Sequence, residues 1–401
     1  MVVANGHAAP PPTSGRPGGV SLWYDPRIRA IAYQVLAIGG VIALGVYLVD
    51  NTLDNLNERQ IRTGFGFLGR EAGFEIGESV IEYDPHDSYA KAFAIGLLNT
   101  IKVSFIAIVL ATLIGTVVGI ARLSRNWLVA KFASFYIETV RNLPLLLQLF
   151  FWYAILTGLL PAVSEALELL PGVYLSKSGL TYPVPLAHPI HAWMGLTLVV
   201  GIASAIAYAR HARGVQDRTG VQWPLLWPAV GMIVGLPLAT WLIGGAPTAL
   251  DVPVFQRFRY AGGGEASPEF LALLLGLTVY TATFIAEVVR AGILAVDDGQ
   301  SEAARALGLR QKLVLRLVVL PQALRVIIPP LTNQYLNLTK NSSLAVAIGY
   351  PDLVGVADTT LNQTGQAVEV IALIMAVYLT LSLSISFAMN LYNRAIALRE
   401  R

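Results

Sequence analysis

The side chains able to do chemistry are few, and most sit inside apolar stretches. Lys340, Asn341 and Ser342 stand together, with Asn333 and Gln334 one to two turns before them, while Gln148 follows Pro144 in another such stretch. Between them they offer one ammonium and several amide and hydroxyl hydrogen bonds, the equipment for non-covalent recognition of a small solute carrying a carboxylate. Glu287 and Arg290 are three residues apart and fit an ion pair on one helical face. Covalent chemistry has no obvious agent. Cys is absent, and the His at 7, 86, 188, 191 and 211 fall outside the span interiors with no metal-ligand cluster among them. His188 and His191 read as a helix start. No Gly-Lys pair occurs among the Lys residues, so the phosphate-binding pattern G-x₄-G-K-[ST] is missing and the chain has no means of hydrolysing ATP.

The setting follows from composition. The 401 residues are 55% apolar and 13% charged, about half the roughly 25% charged share of a soluble chain, and the mean hydropathy is +0.60. Disordered, collagen-like and ordinary soluble multidomain chains are excluded. The net charge of +3 is too small and too scattered for a nucleic-acid partner. A membrane helix needs about 20 mainly apolar residues. Eight stretches qualify: 30–49, 103–121, 142–164, 192–209, one within 222–245, one near 270–289, 326–348 and 370–393. The first is read as a span and not as a cleaved leader. With eight spans, 19 Lys and Arg fall on the side of the termini against 7 on the other, so both termini are expected to be cytoplasmic. Lys102 lies near an outer span end, where it can snorkel. Lys340, about 22 Å along a helix from Arg325, cannot easily do so. The Gly-spaced aromatics Gly64-Phe65-Gly66-Phe67 read as a surface loop.

The inner segment from Arg290 to Arg325 carries the most information. It reads Glu302-Ala303-Ala304, then Gly308 after three residues, then Val318-Val319-Leu320-Pro321. Good helix formers up to Leu307 and a glycine stop predict a short helix, with a second amphipathic stretch from Lys312 to Leu320 ending before Pro321. This spacing resembles the loop E-A-A-x₃-G-x₉-I-x-L-P of permease subunits of ATP-binding cassette importers, Val318 standing for the Ile. Further segments resemble the polar amino acid uptake branch of that family. They are Leu98-Asn99-Thr100-Ile101-Lys102-Val103-Ser104; the run from Arg141 to Gln148, which departs from R-G-T-P-L-L-V-Q at Asn142 and Leu143; Tyr280-Thr281-Ala282 through Glu287 to Ile293; Pro329 to Gln334; and Lys340 to Leu344. The resemblance covers 93–160 and 268–393 and is closest to the large permease subunits of general L-amino acid importers.

The resemblance implies an all-α polytopic fold of about eight spans with a type I importer permease core, placed in the cell inner membrane. It implies that Glu302, Ala303, Ala304 and Gly308, with Leu320 and Pro321, dock on a separate ATPase dimer that uses ATP and Mg, this chain binding no cofactor or metal itself. Ala303 and Ala304 would allow close approach and Gly308 the turn. A second, non-identical permease would complete the pathway, and a periplasmic solute-binding protein would deliver the amino acid. The chain divides accordingly into a flexible tail (1–29), an extra span and outer loop (30–92), two core parts (93–160 and 268–393, with the coupling loop at 297–321), an insertion (161–267) with an extra transmembrane hairpin, and a tail (394–401). A self-sufficient secondary transporter of small polar solutes is the alternative. It would usually carry membrane-embedded carboxylates, whereas the spans hold only Glu287, near an end.

Overall fold

Seven helices among the described residues are long and apolar enough to cross a membrane, and a bent pair can make an eighth crossing. The computed structural model describes residues 26–58 and 63–396; the expected tails lie largely outside them. Two units are distinguished. The smaller holds helix α1 (Pro26–Glu58) and the stretch Gly365–Glu369. There the Gly64 N–H donates to Glu369 Oε1 (2.6 Å) and Gln366 Nε2 donates to the Gly64 carbonyl (3.0 Å). Helix α1 outruns the expected span at both ends, beginning on a proline suited to a first turn and continuing past Val49.

The larger unit is built on α2 (Tyr89–Arg122) and α8 (Pro268–Leu294). Helix α2 starts at Ser88, whose side chain accepts from the Lys91 N–H. Helix α8 starts at Ser267, whose Oγ accepts from the Phe270 N–H (3.0 Å), with Pro268 and Glu269 in the first turn, where a fixed φ and a negative charge both favour a helix. The two helices meet through Gly115 and Gly119 on α2, a small-xxx-small spacing. A Cβ at Gly119 would lie 2.6 Å from the Ala286 carbonyl oxygen, and one at Gly115 would lie 2.7 Å from the Ile285 Cβ. Val103, Ala107 and Ala111 continue this core with Leu273, Leu277 and Ile285, all fully buried.

Helices α3 (Trp127–Arg141) and α4 (Leu145–Gly158) replace the expected straight span 142–164. They meet at 102°. Pro144 disfavours helix in the residue before it and brings no N–H of its own, so α3 must stop. Beyond α4 the insertion adds strands that the sequence reading does not contain. β1 (Leu167–Leu170), β2 (Val173–Ser176), β3 (Gly179–Tyr182) and β8 (Gly264–Ala266) form one antiparallel sheet in the order β1-β2-β3-β8. β4 (Val184–Pro185) pairs with β5 (Leu250–Asp251), and β6 (Val254–Gln256) with β7 (Arg259–Ala261). Because β8 leads straight into α8, the β3–β8 pairing stitches the insertion to the core. Within the insertion runs α5 (Pro189–Thr219), which His188 caps through Nδ1 (3.2 Å to the Ile190 N–H), and the chain returns through α6 (Leu226–Val230), a π turn and α7 (Leu236–Ile243).

After α8 come α9 (Asp298–Ala306), α10 (Gln311–Val314), a π turn at Leu315–Val319 and α11 (Leu320–Asn341), closed by a 3-10 turn at Ser342–Ile348. The second amphipathic stretch therefore does not stop before Pro321; the helical run Gln311–Ile348 is continuous. The widened turn, in which the Leu320 N–H donates to the Leu315 carbonyl, accommodates a proline that offers no N–H. Finally α12 (Leu353–Thr364) and α13 (Ala367–Ile396) follow. A second cluster of buried residues joins Phe67, Tyr89 and Phe93 to Leu353, Val356 and Val370. Phe67, expected in a surface loop, is 1% exposed and packs edge-on against Tyr89, so its aromatic area outweighs the loop-like glycines around it.

Asp352 caps α12 from a buried position, Oδ1 accepting from the Gly355 N–H (2.9 Å). Burial pushes its carboxyl up to about 6. A raised carboxyl pKa stabilises the fold fully below about 4 and loses that contribution as pH rises through 6. Asp352→Asn keeps an acceptor without the charge. The wild type should therefore lose on the order of 2 kcal/mol against this variant between pH 4 and 7, read as diverging thermal unfolding midpoints in detergent.

Candidate functional site

The short helix α9 is capped at both ends by local chemistry. The Asp297 side chain accepts from the Gly299 N–H (2.7 Å), and at the far end Gly308 takes φ +78°. There the Leu309 N–H donates to the Ala304 carbonyl (3.2 Å) and the Gly308 N–H to the Arg305 carbonyl (2.9 Å), the pair of bonds of a glycine-terminated helix. Ala304 is buried, as is Val314, where α9 packs against α10 and its π turn. Glu302, Ala303, Arg305 and Leu307 are exposed, Leu307 at 82%, and Leu320 is also exposed. The element thus presents a charged and apolar tip on a fixed base, with a glycine at its turn.

Helix α11 carries the polar residues expected along the pathway, but not as one cluster. Asn333 and Lys340 are exposed on one face, and Asn337 lies between them on the same face, four residues after one and three before the other. Lys340 makes no ion pair among the described residues. Gln334 and Asn341 are half-buried, and Ser342 is buried, its hydroxyl donating to the Thr339 carbonyl (2.7 Å). Asn337 went unnoticed in the sequence reading although its spacing from Asn333 and Lys340 would have found it. Gln148 has a different task. Buried at the α3–α4 bend, its amide nitrogen donates to the carbonyls of Val140 (2.9 Å) and Leu143 (3.1 Å), adding a side-chain tie across the turn that joins the two helices. Gln148→Leu should cost about 2 kcal/mol, seen as a lower unfolding midpoint. A brace of this kind leaves the KM for solute unchanged, whereas a solute contact would raise it.

Charged groups at the ends of α2 and α8 are tied together. Arg290 Nε lies 3.0 Å from Glu287 Oε2, as the three-residue spacing predicts, and Arg122 at the end of α2 pairs with Glu287 Oε1. Arg122 also reaches Glu138 of α3 at 3.6 Å. Towards the other end of α2, Lys102 does more than snorkel. It pairs with the buried Glu78 (2.5 Å) and lies 4.6 Å from the centre of the Phe270 ring. Glu78 also accepts from the Ser267 hydroxyl (2.7 Å) and, with Glu75, Glu265, Glu269 and Asp358, lines a cleft of about 770 Å³.

Helical spans, an exposed capped knob and a polar face inside a span define a polytopic membrane protein. Residues 224–401 match the family described as "Binding-protein-dependent transport system inner membrane component". The chain is 48% identical over 381 residues to the general L-amino acid transport system permease protein AapQ of Rhizobium johnstonii, with 95% of each chain covered. It is 49% identical over 380 residues to the putative amino-acid ABC transporter permease protein YhdX of Escherichia coli, covering 94% of this chain and 96% of that one. Against the glutamate/glutamine/aspartate/asparagine transport system permease protein BztB of Rhodobacter capsulatus the identity is 39% over 412 residues, covering 95% and 96%. The chain belongs to this family, as a permease subunit of the amino acid ATP-binding cassette transporters.

Proposed function

We propose that this chain forms one half of an amino acid uptake pathway, the other half being a second, non-identical permease. The observation that carries this is the exposed face of α11. Asn333, Asn337 and Lys340 lie within a span, and a lysine facing lipid near the bilayer centre costs about 2.5–3.5 kcal/mol. A partner helix or a water-filled path must cover them. In this reading the Lys340 ammonium and the two amides meet the polar ends of the amino acid, with Gln334, Asn341 and Ser342 shaping the wall. The chain lies in the cytoplasmic membrane with both termini inside, which puts α9 and its exposed tip in the cytoplasm.

The segment 297–321 is the coupling element. Glu302, Ala303, the Gly308 turn and the exposed Leu320 dock on one subunit of an ATPase dimer, which binds ATP and Mg, while Ala304 and Pro321 hold the base. Closure of the ATPases moves the knob and switches the core, 93–160 with 268–393, between outward and inward states. A periplasmic solute-binding protein delivers the amino acid to the opposite side, where the acidic cleft opens. The insertion packs beside the core or docks other subunits.

The test is reconstitution in liposomes. The chain with its ATPase, partner permease and binding protein should accumulate labelled L-glutamine only with ATP, and the chain alone should not. Uptake by the chain alone without ATP would replace this reading with that of a secondary transporter.

A further inference from the structure

Towards the end of α2 the seam with α8 sets Gly115 and Gly119 against Ala282, Ile285, Ala286 and Val289, so over this stretch α2 offers α8 no side chain but hydrogen at the two closest points. Such contact holds two helices close but fixes their register weakly. Charged groups tie the two helices beyond both ends of this stretch: towards the start of α8, Lys102 pairs with Glu78, which also holds the Ser267 cap, and at the far end the tie is Arg122. Arg122, the last residue of α2, pairs with Glu287, one residue beyond Ala286, and the other oxygen of Glu287 is taken by Arg290 of its own helix. Glu287 is 21% exposed and Arg122 22%, so the pair is partly shielded from water. From Glu287 the chain runs only ten residues to Asp297, the cap of α9. The second arm of Arg122 reaches Glu138 on α3, the helix that leads into the 102° bend. One guanidinium thus ties its own helix to α8 through a shielded pair and, through a longer contact to the 67% exposed Glu138, more weakly to α3. Only arginine has the planar fork to do so.

We propose that Arg122 is a positioning residue for transport: it locks α2 and α3 to α8, so that displacement of the coupling loop moves all three helices together. The proposal rests on the function proposed above. Without the lock, the ATPase would move the loop and α8 while α2 slipped along its glycine seam, and hydrolysis would proceed without transport.

The experiment uses the full transporter in liposomes, measuring ATP hydrolysis and labelled L-glutamine uptake on the same sample. ATP-driven uptake by the wild type tests the underlying function separately. Given that, Arg122→Gln should lower uptake at least tenfold while hydrolysis stays within twofold, raising the ATP used per amino acid at least fivefold. Arg122→Lys keeps the cation but not the fork and should raise the ratio two- to threefold. It also serves if Arg122→Gln fails to fold. Glu138→Gln, which cuts only the α3 arm, should raise it less than Arg122→Gln does. An unchanged ratio in the arginine variants, whether uptake and hydrolysis fall together or neither falls, would overturn the proposal, because a merely structural brace alters the amount of active transporter and not its stoichiometry.

Discussion

Gly308→Val is expected to reduce ATP-driven uptake at least tenfold while leaving the subunit folded in the membrane. Gly308 sits at φ +78°, a conformation that costs an ordinary residue about 1–2 kcal/mol and a β-branched one more. A Cβ added there meets nothing within 4 Å, so the penalty is purely one of backbone conformation. It is too small to unfold a chain whose core lies elsewhere. It is large enough to break the paired bonds to Ala304 and Arg305 and redirect the exposed Leu307 tip. The check is uptake and ATP hydrolysis of the assembled transporter, together with the unfolding midpoint of the purified subunit. Gly308→Asn should retain most activity, since asparagine tolerates the left-handed region. Equal loss in both variants would show that side-chain bulk at this exposed turn, and not backbone conformation, is what matters.

Gly119→Val should instead attack the fold itself. Its Cβ would stand 2.6 Å from the Ala286 carbonyl oxygen and 3.1 Å from the Val289 Cβ, and a backbone atom cannot rotate out of the way. The helices would have to separate along the whole small-residue seam. The cost is about 3 kcal/mol or more, enough to lower the unfolding midpoint by several degrees and to deplete the assembled transporter. Gly195→Ala in α5 is the matched control. Nothing lies within 4 Å of its added methyl, and removing a helical glycine should be neutral or raise stability by about 0.5–1 kcal/mol. If Gly119→Val tolerates heating as the wild type does, the seam is looser than its geometry indicates.

Much of this was legible beforehand because it depends on neighbours in sequence. The apolar runs located all seven of the long helices able to cross among the described residues, since the bilayer imposes a length on each. The stop at Gly308 followed from one residue's conformational freedom, and the Glu287–Arg290 pair from helical spacing. The bend was harder: residues 142–164 form an uncharged run that reads as one span, whereas α3 begins fifteen residues earlier and carries Lys131, Glu138 and Arg141, so an apolar-run reading passes over it. The helix through Pro321 was hidden for a different reason. A proline normally ends a helix, and only the π turn before it lets the run continue. The strands of the insertion are two to four residues long, too short to display an alternation.

Sequence alone settled the solvent, the places of the seven long apolar helices, the capped knob and the family resemblance, because hydropathy, local spacing and single-residue constraints act over a few residues. Folding in three dimensions decided the rest. It brought Arg122 to Glu287 across 165 positions, spent the Gln148 amide on the bend, and sank Phe67 into a core. It also turned Asn333, Asn337 and Lys340 outward on one face. These depend on which helix packs against which, and close packing among distant segments leaves no periodic trace in a linear chain.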